Sequence, residues 1–165
     1  IMLLKIKKFL SSDDVSLKVN EKLTIEDEEF LKETRLDKNI LLTGEILKID
    51  DSLTFSGKIE YLVKAQCARC LEEFDKKIET KFSAGLVQNE DMESDEIQML
   101  VTDGMIRMDE IVKQLIYLSM PMKSLCRDDC KGICPNCGVN LNEEICQCES
   151  RLTDPRFDKL KDLLK

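Results

Sequence analysis

The sequence contains no histidine and no tryptophan, and aromatic residues make up only 5% of its 165 residues. Without histidine there is no Ser-His or Cys-His pair for nucleophilic catalysis and no imidazole ligand for a metal. A metal site must therefore use cysteine, carboxylate or backbone oxygen. No apolar run approaches the ~18 residues that a membrane span requires, so we expect no membrane segment.

Basic residues are too few to cover a broad face that binds nucleic acid. Lys and Arg number 25 against 33 Asp and Glu, which gives a net charge of -8 at pH 7. This balance favours protein partners, or RNA that is contacted through a small local basic patch. The acidic run over Asn89–Glu96 is interpreted as a solvated loop, with a recognition loop as the alternative.

The first ten residues, IMLLKIKKFL, carry three lysines and no small-residue cleavage site, so we expect no signal peptide. Thiols that are not exported stay in a reducing compartment, where disulfides are rare and clustered cysteines usually bind metal. We therefore predict a cytoplasmic protein, and a disulfide framework is the minor alternative.

The middle of the chain shows the period-two alternation of half-buried strands. Apolar residues alternate with polar ones over Leu53–Ala65 and again over Phe74–Leu86. An earlier strand is predicted over Ile40–Ile49, with Asp50-Asp51-Ser52 as its turn into the next strand. Three consecutive strands joined by short turns predict an antiparallel meander.

Helical periodicity begins after Gly104. Asp109 is interpreted as the helix cap and Pro121 as its stop, which predicts a helix over 108–120. We expect its apolar stripe to pack on the sheet. The stripe consists of Ile111, Val112, Leu115, Ile116 and Leu118.

The two ends of the chain give weaker signals. Leu3–Phe9 and Val15–Leu23 are candidates for edge strands, and Glu26–Thr34 is predicted as a short helix or a loop. Asp154 and Pro155 begin a second helix signal. Its apolar face is expected to pack on the parent domain rather than on a partner, and consists of Phe157, Leu160 and Leu164.

Eight cysteines carry the strongest chemical signal, and they fall into four local pairs. The pairs are Cys67/Cys70, Cys126/Cys130, Cys134/Cys137 and Cys146/Cys148. The segment CPNCG has the form of a zinc knuckle, in which both thiols reach one metal and backbone amides point at the sulfurs. CARC has the same spacing and lies at the tip of the predicted hairpin. All eight cysteines are therefore predicted metal ligands, forming two structural Zn²⁺ sites, because all-cysteine sites leave no position for a reacting water.

Three groupings remain if each pair stays together and each zinc takes four sulfurs. The favoured grouping joins Cys67/Cys70 to Cys126/Cys130, because the second pair directly follows the helix that should pack on the hairpin sheet. The four later cysteines then close a compact second site. Iron–sulfur clusters are a chemical alternative. A redox dithiol at Cys67/Cys70 is another, although such pairs normally begin a helix that follows a strand.

These signals together predict an α+β fold with an antiparallel β-meander core that is packed by a helix. We divide the chain into a mainly antiparallel β domain over 1–125 and a cysteine-rich zinc-binding tail over 126–165. The tail is expected to end in a short helix.

The tail MPMKSLCRDDCKGICPNCGVNLNEEICQCES, followed by TDPRFDKLKDL, resembles the YceD family of large ribosomal RNA subunit accumulation proteins. The segment QCARCLEEF is similar to the family's CxRC element at the end of an alternating strand. The likeness runs from about Lys58 to the C-terminus and is loose before Leu36. It implies a non-enzymatic role in bacterial ribosome biogenesis, in the accumulation or processing of large-subunit ribosomal RNA, and it supplies no catalytic residues. Some family members look as if they keep only the CxRC pair and a pair at the positions of Cys126 and Cys130 and lack the knuckle tail, which agrees with the favoured grouping.

The partners that this resemblance implies are precursor large-subunit ribosomal RNA, a basic ribosomal protein, or both, with no membrane and no small-molecule substrate. Four basic residues near the first proposed site are candidates for phosphate contact, although Asp128 and Asp129 dilute their charge. They are Arg69, Lys123, Arg127 and Lys131. The alternative function is a cytosolic thiol redox enzyme that uses Cys67 and Cys70.

Overall fold

A seven-stranded sheet organises the computed structural model, which describes residues 2–50, 52–88 and 97–148. Its strands run in the order β1-β7-β6-β5-β4-β3-β2. In these described ranges three helices accompany the sheet, which confirms the α+β class. The elements are β1 Leu3–Lys5, α1 Lys7–Leu10, β2 Ser16–Thr24, α2 Glu28–Thr34, β3 Leu36–Ile49, β4 Ser52–Gln66, β5 Glu73–Val87, β6 Gln98–Thr102, β7 Met105–Arg107 and α3 Asp109–Ser119.

The three long strands β3, β4 and β5 form the predicted meander. Each pairs antiparallel with the next, and the β4–β5 register runs from Leu53↔Leu86 to Gln66↔Glu73. Side chains of the predicted inner face, such as Phe55 and Ile59, are fully buried. Period-two alternation therefore identified both the strands and their inner faces. Asp51 of the predicted β3–β4 turn lies outside the described residues.

A pair of opposed glycines lets the long strands approach closely in the core. Gly44 of β3 lies directly opposite Gly57 of β4. A Cβ on Gly57 would lie 2.7 Å from the Thr43 carbonyl oxygen and 3.2 Å from the ring of Phe82. The ring of Phe82 packs edge-on against Phe55, with centroids 5.1 Å apart. The absent side chains therefore make room for this aromatic pair.

The second half of the sheet was not predicted from sequence. Strand β6 pairs parallel with β5, β7 pairs antiparallel with β6, and β1 completes that edge. The strand predicted over Leu3–Phe9 is wrong in its second half. After Lys5 the chain turns into α1, because Ile6 donates its N–H to the Gly104 carbonyl at 2.9 Å and Phe9 enters the core. Strand β2 forms the opposite edge, in agreement with the edge strand predicted over Val15–Leu23.

The two edges of the sheet face each other. A cleft of about 350 Å³ is lined by Met2–Lys5 at one edge and by Glu21–Thr24 at the other. The sheet is therefore strongly curled.

Helix α3 packs on the sheet through most of the predicted stripe. Val112, Leu115 and Ile116 are buried, but Leu118 is 82% exposed, so its inclusion in the stripe was wrong. At 100° per residue, position 118 lies on the far side of the helix from position 116. Met108, just before the helix, is fully buried instead.

Asp109 does not cap α3, which corrects the sequence prediction. The N-cap position is Met108, and no side chain caps the helix. The Asp109 carboxylate instead accepts the Met2 N–H, at 3.0 Å and 3.1 Å for its two oxygens. Asp109 therefore fastens the start of the chain to the first turn of α3.

The segment predicted as a short helix or a loop forms α2, which docks against α3. Asp27 caps α2 by accepting the Phe30 N–H at 3.1 Å, and it pairs with Lys113 at 2.8 Å. These contacts, led by the hydrogen bond from Lys113, lower the pKa of Asp27. The rings of Phe30 and Tyr117 meet edge-on at 5.2 Å.

Several predictions concern residues outside the described ranges. These are the acidic run over Asn89–Glu96 and the helix signal that begins at Asp154, with Phe157, Leu160 and Leu164. The domain division at 125/126 also stays a prediction. Within the described ranges, no helix is long and apolar enough to cross a membrane.

Because backbone atoms of β3 lie so close to Gly57, a methyl group added there should lower the stability of the fold more than one added elsewhere on the sheet. We expect Gly57→Ala to lower the free energy of unfolding by about 1–3 kcal/mol, because the new Cβ overlaps backbone. Gly85→Ala is the matched control on β5, since nothing lies within 4 Å of its Cβ position. Urea unfolding measures both variants, and equal losses would contradict this account of the glycine pair.

Candidate metal centres

Four cysteines from two distant segments meet where the β4–β5 hairpin turns; we call this group cluster 1. Their sulfurs all lie within 4.8 Å of one another. Cys67 Sγ lies 3.7 Å from Cys130 Sγ, and Cys70 Sγ lies 3.6 Å from Cys126 Sγ. Four sulfurs bound tetrahedrally to one zinc at ~2.3 Å would lie about 3.8 Å apart. The donor atoms and their spacing therefore fit a single zinc-sized ion.

Backbone hydrogen bonds hold the hairpin tip of cluster 1 in shape. The Cys67 N–H donates to the Glu72 carbonyl at 2.8 Å, and the Leu71 N–H donates to the Cys67 carbonyl at 3.0 Å. The chain that leaves α3 is drawn to this tip because the Ala68 N–H donates to the Ser124 carbonyl at 2.8 Å. This contact places Cys126 next to the first cysteine pair.

Arg69, in the middle of CARC, binds the second half of cluster 1. Its guanidinium donates from Nη1 to the carbonyls of Cys130, at 2.9 Å, and Asp128, at 3.2 Å. Its own carbonyl accepts the Ile133 N–H at 3.1 Å. Arg69 therefore orders the CRDDC turn as well as carrying charge.

The proposed basic patch is smaller than the sequence suggested. Besides Arg69, Arg127 is also engaged, since its Nε lies 3.7 Å from the Asp129 carboxylate. Lys123 and Lys131 are exposed and lie close to Cys126 and Cys130 in the sequence. These two lysines are the clearest remaining candidates for phosphate contact in this segment.

The thiols of cluster 1 are buried and electrostatically interdependent. Cys67 is 0% exposed and Cys130 is 3% exposed. Burial opposes ionisation of Cys67, but backbone N–H groups that include those of Cys70 and Arg69 lower its pKa to about 6. For Cys70, the Glu72 N–H favours ionisation, whereas burial and the neighbouring cysteines raise the pKa to about 12. The site therefore stabilises the first thiolates and resists the last, a conflict that a bound cation removes.

The remaining four cysteines form a second group, cluster 2, whose sulfurs also lie within 4.8 Å of one another. Cys146 Sγ lies 3.3 Å from Cys134 Sγ and 3.6 Å from Cys137 Sγ. As the knuckle form predicts, backbone amides point at the sulfurs. The Asn136 N–H donates to Cys134 Sγ at 3.4 Å, and the Cys148 N–H donates to Cys146 Sγ at 3.3 Å.

The knuckle amides favour the thiolate form in cluster 2. Hydrogen bonds from the N–H groups of Cys137 and Asn136 lower the pKa of Cys134 to about 6. Cluster 2 is nevertheless more open than cluster 1, because Cys137 and Cys148 are exposed. Two of its four cysteines therefore meet solvent directly, whereas those of cluster 1 lie largely inside the protein.

The structure brings the eight cysteines together in the favoured grouping, with Cys67/Cys70 beside Cys126/Cys130. Metal binding and the identity of the metal stay predictions. Sequence reasoning missed Asn140 and Asn142, which contact the surroundings of cluster 1 from the loop inside cluster 2. The only sequence signal for them is two alternating asparagines between the second and third cysteines of that cluster.

Fold and site together define an α+β protein whose curled sheet carries two four-cysteine clusters at one end of its long hairpin. The family model for the Large ribosomal RNA subunit accumulation protein YceD matches residues 55–164. The chain therefore belongs to this family, which confirms the resemblance read from its cysteine-rich tail.

Curated relatives are similar over most of this chain but are longer. An uncharacterized protein of Mycobacterium tuberculosis is 27% identical over 136 residues, which cover 78% of this chain and 65% of that protein. The chloroplastic YCED homolog 1 proteins, named as large ribosomal RNA subunit accumulation proteins, match at 21% in Arabidopsis thaliana and 27% in Zea mays. Those matches cover 75% and 68% of this chain and 48% and 49% of the plant proteins. No solved structure matches significantly.

The contact between Arg69 and the CRDDC turn predicts unequal effects of two glycine substitutions. Gly132 and Gly138 have φ angles of +77° and +76°, but only a Cβ on Gly132 would meet another group, the Arg69 carbonyl at 2.9 Å. Each substitution by alanine carries left-handed strain of about 1–2 kcal/mol. Gly132→Ala should additionally open cluster 1 and speed alkylation of Cys67 and Cys130, measured by mass spectrometry. Equal alkylation of these thiols in Gly138→Ala would show that the Arg69 contact does not position the cluster.

Proposed function

We propose that this protein is a cytoplasmic, non-enzymatic ribosome-biogenesis factor that supports the accumulation or processing of large-subunit ribosomal RNA. Two structural zinc sites hold its fold. The observation that carries the proposal is the family match over residues 55–164, which includes all eight cysteines. Relatives in the same comparison are named for large ribosomal RNA subunit accumulation.

Zinc is supported by the chemistry and spacing of the donors. Each cluster offers four thiols as candidate ligands. Thiolates that bind separate irons of an iron–sulfur cluster are kept apart by the cluster itself. In cluster 1 two sulfur pairs lie 3.6 Å and 3.7 Å apart and all four sulfurs lie within 4.8 Å of one another, which instead suits a single tetrahedral ion. When bound, zinc would neutralise thiolate charge and cross-link the segments that carry the cysteines.

Burial weighs against the alternative of a redox enzyme at Cys67 and Cys70. A catalytic dithiol needs an attacking thiolate that a substrate can reach. Cys67 is fully buried and Cys70 is 5% exposed. The pair also lies in a turn between two strands rather than at the start of a helix.

The charge of the protein restricts how it acts on ribosomal RNA. A net charge of -8 makes general attraction to RNA weak or repulsive. We therefore propose contact with precursor RNA through the exposed lysines near cluster 1, contact with a basic ribosomal protein, or both. Neither a membrane nor a small-molecule substrate enters this proposal.

The zinc proposal predicts metal content and two different consequences of losing a ligand. Elemental analysis of protein purified without added metal should find about two zinc ions per chain. In excess zinc, Cys70→Ser should lower the thermal stability of the whole fold, because cluster 1 joins segments 56–63 residues apart. Cys137→Ser should loosen the tail and leave amide-exchange protection of β3–β5 nearly intact.

Two findings would contradict the proposal of zinc sites: intact thiols with no metal bound, or two or more disulfides in freshly reduced protein. Equal loss of β3–β5 protection in Cys70→Ser and Cys137→Ser would contradict their unequal structural roles.

The biological proposal predicts a ribosome-assembly defect. Removing the gene should lower mature large-subunit ribosomal RNA and the large-subunit peak in a sucrose gradient. The purified protein should bind generic RNA weakly at physiological salt. If the local patch contacts RNA, the double variant Lys123→Glu/Lys131→Glu should complement the deletion poorly. The control variant Lys5→Glu/Lys8→Glu makes the same change of charge at β1 and α1 and should complement the deletion.

Unchanged large-subunit particles in the deletion strain, including in the cold, would reject the biogenesis proposal. Equal complementation by both lysine variants would reject the RNA patch and favour a protein partner.

A further inference from the structure

A loop that belongs to cluster 2 reaches a sulfur of cluster 1. We call residues 138–145, between the second and third cysteines of cluster 2, the linker loop. Asn142 of this loop donates from Nδ2 to Cys130 Sγ at 3.4 Å. Its Oδ1 accepts the Lys131 N–H at 2.8 Å, which fixes the orientation of the amide. Asn142 thus contacts a sulfur of one cluster from within the sequence of the other.

A second asparagine connects the linker loop to the hairpin tip. Asn140 donates from Nδ2 to Glu72 Oε1 at 2.9 Å, and the other Glu72 oxygen lies 3.6 Å from Cys70 Sγ. Asn140 Oδ1 also accepts from Asn142 Nδ2 at 2.7 Å. One polar network therefore runs from the Cys70 side of cluster 1, through the linker loop, to its Cys130 side.

The position of the linker loop depends on cluster 2. Backbone bonds hold its first half, with the Leu141 N–H on the Gly132 carbonyl and the Cys134 N–H on the Val139 carbonyl, both at 2.9 Å. Its ends join Cys137 and Cys146, whose sulfurs lie 3.6 Å apart in cluster 2. A metal ion in cluster 2 would fix both ends of the loop at once. Placing Asn142 against Cys130 would then cost less conformational entropy than it does in a loop with free ends.

We propose that the two metal sites are coupled through Asn142: metal in cluster 2 orders the linker loop, and the ordered loop raises the metal affinity of cluster 1. The proposal rests on the metal binding proposed above. Four thiolates around a divalent ion leave a net negative charge, and an N–H group that donates to one of the sulfurs stabilises that charge. Asn142 is a positioning residue and not a ligand.

Coupling of this kind is reciprocal, so metal in cluster 1 must strengthen binding in cluster 2 by the same factor. Cluster 2 exposes two of its cysteines to solvent, whereas three of the four in cluster 1 are buried. Scarcity of metal would therefore empty cluster 2 first, and the loss would then lower the metal affinity of cluster 1 at the hairpin tip.

The test is a site-resolved competition for zinc in the full chain. Protein loaded with zinc is titrated with a chelator, and alkylation followed by mass spectrometry reports which cysteines have lost metal. Cys137→Ser/Cys148→Ser disables cluster 2 at its two exposed ligands. We expect zinc affinity at cluster 1 to fall by about 10–100-fold in this variant, the range for lost outer-shell support.

Asn142→Asp tests the proposed contact: aspartate keeps the acceptor for the Lys131 N–H, removes the donor to Cys130 Sγ and to Asn140 Oδ1, and places a negative charge beside the sulfurs. It should lower the zinc affinity of cluster 1 by a similar factor in the wild-type background, and by little more when cluster 2 is already disabled. With Co²⁺ in place of zinc, it should shift the sulfur-to-metal charge-transfer absorption of cluster 1. Glu143→Gln, an exposed change on the same loop, is the matched control and should alter neither measurement.

Cluster 1 affinity within twofold of wild type after loss of cluster 2 would overturn the coupling. An equal effect of Asn142→Asp with and without cluster 2 would also overturn it. Reciprocity gives a check that does not depend on folding of the Asn142 variant, because Cys126→Ser must lower zinc affinity at cluster 2 by the same factor. Zinc at neither cluster would refute the proposed metal binding itself, whereas two independently binding zinc ions would refute only the coupling.

Discussion

The fold depends on one joint, where the tip of the β4–β5 hairpin meets the chain that leaves α3. Cysteines 56–63 residues apart come together there, and Tyr61 on β4 adds a second contact with its Oη 2.6 Å from Ser119 Oγ at the end of α3. The helix is thus held to the sheet by its apolar face and by the contacts at its C-terminal end. Without the joint, the far end of two 15-residue strands would have few long-range contacts to fix it.

The two clusters apply the same chemistry in different surroundings. Cluster 1 is built into the protein, so its thiols face a strong electrostatic conflict unless a cation is present. Cluster 2 is built from a short segment and is more open to solvent, so it constrains only the local chain around it. Asn142 of the linker loop connects the two clusters through its contact with Cys130 Sγ. In a chain without histidine, both groups of candidate metal ligands consist of cysteine alone.

Much of this architecture was predictable where a local pattern reflects burial directly. The alternation over Leu53–Ala65 identified a strand and its inner face. Cysteine spacing identified the four local pairs, and the position of Cys126/Cys130 after the predicted helix favoured the grouping that the structure shows. Strands β6 and β7 were missed because runs of five and three residues carry no readable period, and their pairing is decided by distant neighbours. Asp109 was misassigned because its competing partner, the Met2 N–H, lies 107 residues away. Asn142 was missed because a contact to sulfur leaves no spacing signal.

The curl of the sheet has a consequence for how its edges meet other molecules. An open sheet ends in two rows of unpaired backbone N–H and C=O groups, which are templates for pairing with another chain. Here β1 and β2 face each other across a narrow cleft, so each edge partly screens the other from an approaching strand. The curl that gives the core its shape thereby also discourages edge-to-edge pairing between folded molecules.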